Sequence, residues 1–406
     1  MTIKTQLVTG LCLVGVLHVA ALAASAPSQS LSPGVPLGLP AVPVPADNVM
    51  SAEKIALGDK LFHDKRFSKT GEVACATCHD AAKALTDSPL KTSEGINKLK
   101  GTRNAPTVLN AAFYTTQFWD GRSPSLEDQA LHPFVNPIEM GLPDHEPILD
   151  TIRKDPAYTE AFTRVFSVQP KAISMVEVTR AIAAFERTQV SGDSPFDRWY
   201  FGGDNQAMDK SARRGFEVFL NQGRCVSCHT IEQDHALFTD SKFHNVGVGI
   251  NDIQARVPAF AAAFQKAKLE GADVDVTVLS DPDVSNLGRF AVDDQLSSMG
   301  GFKTPTLRNI ALTAPYMHDG SLKTLRDVVV HYNNGGVSDK NTPVNPYLSG
   351  GIRPLDLSEQ QIDDLVAFME ALTSPSVKAA VSVTGFTDQT AGILAANHFI
   401  HREEQP

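Results

Sequence analysis

Two short runs share one pattern: Cys75-Ala76-Thr77-Cys78-His79 and Cys225-Val226-Ser227-Cys228-His229. Together they use four of the five cysteines. At this composition, chance gives on the order of 0.002 such matches per chain, so the pair is not accidental. Thiols three residues apart lie on one helical turn. There they can add to the two vinyl groups of a haem, and the next residue, His, then aims its imidazole at the iron. A shared Cys₄ zinc site would need pairs closer than these in sequence and would leave both histidines idle. Local disulfides or a redox dithiol suit an oxidising compartment but do not explain a His after each second cysteine. The reading is two covalently bound c-type haems, held by Cys75, Cys78 and His79, and by Cys225, Cys228 and His229.

Elements placed to hold such groups recur. Gly58-x-x-x-Phe62 precedes the first motif and Gly215-x-x-x-Phe219 the second. Downstream of each lies a capped amphipathic helix. Ser174 with Glu177 begins one, striped by Val178, Ala181, Ile182 and Phe185; Ser358 with Gln361 begins the other, striped by Ile362, Leu365, Val366 and Met369. These helices match position for position at an offset of 184, whereas the histidines are offset by 150. Each unit therefore shares a beginning and an end and differs in its loops. Alternating strand patterns are scarce, so the class is mainly α: two cytochrome c-like domains in tandem, 47–190 and 205–375. Ser191–Asn205 reads as the linker between them, Asn251–Asp283 as an insertion with a helical patch near Phe260–Leu269, and 376–406 as a tail.

Lys4, an apolar stretch from Leu7 to Leu22, and the small residues Ala21, Ala23 and Ala24 make residues 1–24 an export signal, followed by a Pro/Ser-rich linker over 25–46. The stretch is short for a membrane anchor, and Cys12 has no small residue before it to mark a lipid site. The expectation is a periplasmic protein with no membrane span after cleavage. Hydrophobic residues form 42% of the 406 and charged residues 20%, ordinary for a packed protein. A net charge of −10 argues against nucleic acid or an anionic lipid surface as partner.

Further segments are Thr102-Arg-Asn-Ala-Pro-Thr107, Phe118-Trp-Asp-Gly-Arg122, Asn136-Pro-Ile-Glu-Met-Gly141, Lys303-Thr-Pro-Thr-Leu-Arg-Asn309 and Ala314-Pro-Tyr-Met-His-Asp-Gly320. In this order around the two motifs, over residues 50–375, the chain resembles the bacterial di-haem cytochrome c peroxidases and their relative MauG. The resemblance implies that hydrogen peroxide is reduced at the N-terminal haem, with the active-site and calcium region between the domains. It makes Trp119 the bridge between the haems, where the bland reading is a core aromatic. It places Gln129 and Glu139 over the open haem face, Gln129 orienting peroxide and Glu139 moving its proton; otherwise both are surface polar residues. Pro133 would narrow that pocket. Asn104, through its side chain, and Thr313 and Pro315, through backbone carbonyls, would hold a calcium ion, which accepts neutral oxygens.

One position departs from many of these peroxidases. Where they carry a His that occupies the open haem until reduction, this chain has Gly95, and no His lies between His79 and His132. The resemblance thus implies a haem open without activation, as in MauG. For the sixth ligand of the second haem, Met299, Met317, His318, His331 and Tyr332 are available; common chemistry favours Met317, and the resemblance points to Tyr332. The electron source would be a small exported cytochrome c or cupredoxin, or a protein substrate's side chain as in MauG. The competing class is a plain electron carrier with both irons six-coordinate.

Two covalent haems predict a haem stain that survives denaturing electrophoresis and is halved by Cys75→Ser with Cys78→Ser. A full stain in that variant would show that the first motif carries none.

Overall fold

A computed structural model describes residues 34–337 and 345–384. The export signal, the first part of the 25–46 linker and most of the 376–406 tail lie outside the described residues. Among the described residues, no helix is long and apolar enough to cross a membrane.

The molecule is built on two helix pairs. Ser51 caps Ala52–Phe62, its hydroxyl accepting from the Lys54 N–H at 3.2 Å, and the helix buries Leu57, Leu61 and Phe62. Across it packs Met175–Glu186, opened by the Ser174–Glu177 capping box. Lys210–Leu220 and Glu359–Glu370 form the second pair, the latter opened by the Ser358–Gln361 box. At each crossing a glycine meets the partner backbone. A methyl on Gly58 would come closer than 3.0 Å to the Ala181 carbonyl, and one on Gly215 equally close to that of Asp364.

That contact corrects the expected register. The caps are offset by 184, but the residues touching the glycines, Ala181 and Phe185 against Asp364 and Phe368, are offset by 183. Phe368, fully buried, takes the place expected for Met369, and Val366 is only partly buried. Polar contacts hold that turn: Asp364 accepts from Arg214 at 2.6 Å and from Ser211 at 2.5 Å, beside Gly215.

Each pair closes a core. The first includes Phe62, Phe67, Phe134, Tyr158 and Phe162; the second Phe196, Phe216, Phe219, Phe238 and Phe368. The insertion and the residues just after it form a third around Ile253, Val257, Phe264, Val278 and Phe290, the expected helical patch lying in Val257–Leu269. The described strands are two residues each, Phe243–His244 antiparallel to Phe302–Lys303.

The 191–205 linker, and the described parts of the 25–46 linker and of the tail, hold packed structure. Inside 191–205, Pro195–Tyr200 is a helix with a Ser194–Asp197 capping box, and it buries Phe196 completely. Arg308 clamps it, giving Asp197 two hydrogen bonds of 2.8 and 2.9 Å. The same guanidinium donates to Gly38 O at 2.6 Å, so the described end of the 25–46 segment straps the second core. Beyond 375, Pro375–Thr384 is a helix whose Val377 and Val381 return to the first core.

Gly58→Ala and Gly215→Ala should each lower the thermal midpoint, since overpacking costs about 1–3 kcal/mol and here the obstacle is backbone. Unchanged midpoints in both would show that the crossings have slack.

Candidate active site and the wall between two cavities

The first motif is the helical turn Cys75–Cys78, steadied by the Thr77 hydroxyl, which accepts from Ala74 N–H at 2.9 Å. His79 Nδ1 lies 3.2 Å from Leu85 O, and His229 Nδ1 lies 2.8 Å from Phe238 O. A carbonyl only accepts, so Nδ1 carries the hydrogen in both rings and Nε2 keeps its lone pair for a metal. Burial holds both imidazoles below their usual pKa, hence neutral. All four cysteines are free thiols. The two pairs line different cavities, which removes a shared zinc site.

Cys75, Cys78 and His79 line a cavity of about 180 Å³ with Gln129, Pro133 and Glu139. Cys225, Cys228 and His229 line one of about 620 Å³ with Met317 and Tyr332. This donor set, thiol pair and Nε2 in each cavity, suits a covalently attached haem. Trp119, Asn104, Tyr114 and Lys303 face both cavities and form their common wall. Trp119 Nε1 donates to Asn104 O at 2.9 Å, and its own carbonyl accepts from Lys303 N at 2.8 Å.

Glu139 sits on a turn that Asn136 organises: Asn136 Oδ1 accepts from Ile138 N–H at 3.0 Å, and its Nδ2 donates to Asp275 Oδ2 at 2.8 Å. Glu139 Oε2 is closed to solvent with no hydrogen-bond partner. Burial pushes its pKa up to about 7, helped by Asp275 and opposed by Arg122. A carboxyl poised there can take and return a proton near neutrality. Asp275 belongs to the insertion, in Val274–Ser280, and also accepts from Arg122 Nε at 2.7 Å.

Gly95 presses on the same turn. Ile96 N–H donates to Glu139 O at 2.9 Å, and a Cβ on Gly95 would fall closer than 3.0 Å to Ile138 O and to the Glu139 backbone. A histidine therefore has no room at this position; the glycine permits the close approach that seats Glu139.

Of the five candidate ligands for the second cavity, three are engaged elsewhere. Met299 is buried in the third core, His331 Nε2 lies 2.8 Å from Val246 O, and His318 stacks on Phe302 with Nε2 3.2 Å from Asn286 Oδ1. Tyr332 and Met317 remain. Asn104, Thr313 and Pro315 face the same cavity; Asn104 Nδ2 donates to Leu90 O and Lys91 O, at 3.3 and 3.2 Å. A cluster of Cys228, Asp240 and His244 is close enough to suggest a metal, but its thiol is the one the motif commits to haem.

A family model described as di-haem cytochrome c peroxidase matches residues 52–206. The chain is 35% identical to the methylamine utilization protein MauG of Methylorubrum extorquens, over 82% of this chain and 81% of that one. It is 37% identical to a cytochrome-c peroxidase of Denitromonas iodatirespirans, over 83% and 86%. The chain belongs to the di-haem cytochrome c peroxidase and MauG family. Among solved structures, a MauG-like protein associated with microbial copper homeostasis superposes with a TM-score of 0.68 at 30% identity, covering 87% of this chain and 98% of that one. The protein is thus helix-rich, as expected, and a member of an oxidoreductase family.

Sequence reasoning missed three side chains here: Asp275, Lys303 and Glu186. Asp275 lies in an insertion 136 residues from Glu139, and no local pattern links them. Lys303, buried, has its pKa pulled down to about 7 by burial, with its ammonium 3.9 Å over the Tyr114 ring.

Glu139 acts as a base only when ionised, and its pKa is raised to about 7. Peroxide turnover should therefore fall as pH drops through about 7, and Glu139→Gln should lose about 10²–10⁴-fold in rate together with that limb. A variant within a few-fold of the parent would assign the proton transfer elsewhere.

Proposed function

We propose that this protein reduces hydrogen peroxide in the first cavity, with electrons entering through the second and crossing at Trp119. The observation that carries the reading is the unpartnered Glu139 carboxyl facing the cavity beside Gly95. Two c-type haems in tandem domains, 47–190 and 205–375, held by Cys75, Cys78 and His79 and by Cys225, Cys228 and His229, would supply redox-active iron. The chain's own groups do the rest: Gln129 orients peroxide by hydrogen bonding, Pro133 narrows its approach, and Glu139 takes the proton of one oxygen and returns it to the departing one. A calcium ion held by Asn104, Thr313 and Pro315 would tie both halves at the shared wall; the donors are neutral oxygens, which calcium accepts. The setting is the periplasm, after removal of residues 1–24, and the donor is a small exported cytochrome c or cupredoxin.

Tyr332 supports a second reading. A phenolate on the second haem is a hard anionic ligand that favours higher oxidation states, whereas the Met317 thioether favours ferrous iron. With Tyr332 bound, oxidising equivalents could be spent on a protein side chain, as for the MauG relatives. The glycine at position 95 counts against a plain electron carrier, in which both irons are six-coordinate.

Turnover of peroxide with a reduced small cytochrome or cupredoxin, assayed without pre-reduction, tests the first reading; consumption only in the presence of a protein substrate that becomes oxidised would favour the second. The low-spin signal of the second haem should be lost in Tyr332→Phe and kept in Met317→Leu. The opposite outcome would make Met317 the ligand.

A further inference from the structure

Glu139 has a counterpart on the first cavity. Glu186, the last residue of Met175–Glu186, is 5% exposed and lines the same cavity, and its Oε2 is closed to solvent with no hydrogen-bond partner. A carboxylate at a helix C-terminus opposes the dipole there. The cation that acts on it, Arg187, and those beside the Arg187–Glu127 pair are committed to other acceptors. Arg187 gives both its terminal nitrogens to Glu127, at 2.7 and 3.0 Å. Lys54, from Ala52–Phe62, donates to Asn48 Oδ1 at 3.0 Å and Val49 O at 2.5 Å. Arg180 pairs with Asp47 at 2.8 Å. Glu127, from Leu126–Gln129, adds a negative charge on the same side and is itself partly exposed. The surroundings thus keep Glu186 as the neutral acid. Burial pushes its pKa up to about 8, against Arg187 and with Glu127.

We propose that Glu186 is a proton-supplying residue of the first cavity, delivering the protons that Glu139 does not. The inference rests on peroxide being reduced there. Reducing one H₂O₂ to two waters takes two electrons and two protons. The proton that Glu139 moves comes from peroxide itself and completes the first water, so it adds nothing to the balance. The second water needs two protons besides the two electrons from the donor. Glu186 gives one from its carboxyl, is left as carboxylate, takes a proton from solvent on the Glu127 side, and gives again.

The haem-loaded protein tests this by infrared spectroscopy over pH. Two buried carboxylic acid C=O bands are expected, one lost as pH rises through about 7 and one through about 8. Glu186→Gln should remove the higher-titrating band and spare the lower, and Glu139→Gln the reverse. Wild-type kcat should decline through about pH 8, whereas Glu186→Gln should turn over about 10²-fold more slowly without that decline, its KM for peroxide unchanged; Glu186→Asp should restore the pH limb. If both bands persist in Glu186→Gln, or the alkaline limb survives, Glu186 is not the donor. Should Glu186→Gln lose its haem, the Asp variant decides: its higher-titrating band must shift, and an unmoved band refutes the assignment. Wild-type protein that shows both bands but no peroxide turnover would overturn the functional reading and leave the neutral acid in place.

Discussion

The carboxylate of Asp120 has no exposure to solvent and lies between two guanidinium groups, Arg122 at 3.0 Å and Arg103 at 3.6 Å. Burial opposes its charge; Arg122 and then Arg103 outweigh that and hold its pKa below the usual range. Removing one partner of such a buried group leaves a charge uncompensated, at a cost of about 3–5 kcal/mol. The segment is also fixed by its backbone, for Arg289 donates to the carbonyls of Asp120 and Gly121 at 3.0 and 2.8 Å. The residue before it is Trp119, so the wall between the cavities has little freedom to move. Arg122 carries the restraint onward to Asp275, and Asp275 to Asn136 and the Glu139 turn.

The insertion is therefore part of the candidate site. It supplies Asp275, and Ser285, two residues beyond its end, accepts from Arg103 Nε at 2.6 Å. The first cavity then offers two carboxyls set apart by environment, Glu139 among Asp275 and Arg122, Glu186 among Arg187 and Glu127. The second offers a phenol and a thioether and no such carboxyl among its described lining residues. On the proposed function, proton chemistry would belong to one side of Trp119 and electron storage to the other.

What could be read in the sequence was local. Cap boxes at Ser174 and Ser358, the glycines before each motif and the CxxCH spacing all act within a turn or two, and the helices start where those signals stand. Register across a crossing is not local: at the 183 offset Asp364 is gripped by Arg214 and Ser211, about 150 residues away. Gly, Asp, Asn and Pro between 191 and 205 look like a linker until Arg308 supplies the charge that buries Asp197. Gly95 was legible as a missing histidine, but the reason, a backbone pressed against Glu139, needed the fold. Glu186 reads as a polar helix end and gains meaning only from the cavity it faces.

On the proposed function, the first cavity is open to peroxide in the fully oxidised protein, because Gly95 leaves no room for a side chain and Glu139 is already seated. Rapid mixing of the all-ferric protein with one equivalent of peroxide, followed by optical absorption, tests this directly. A high-spin ferric spectrum that changes in a single bimolecular phase without prior reduction is expected. A low-spin first haem that stays inert to peroxide until one electron has been added would contradict it.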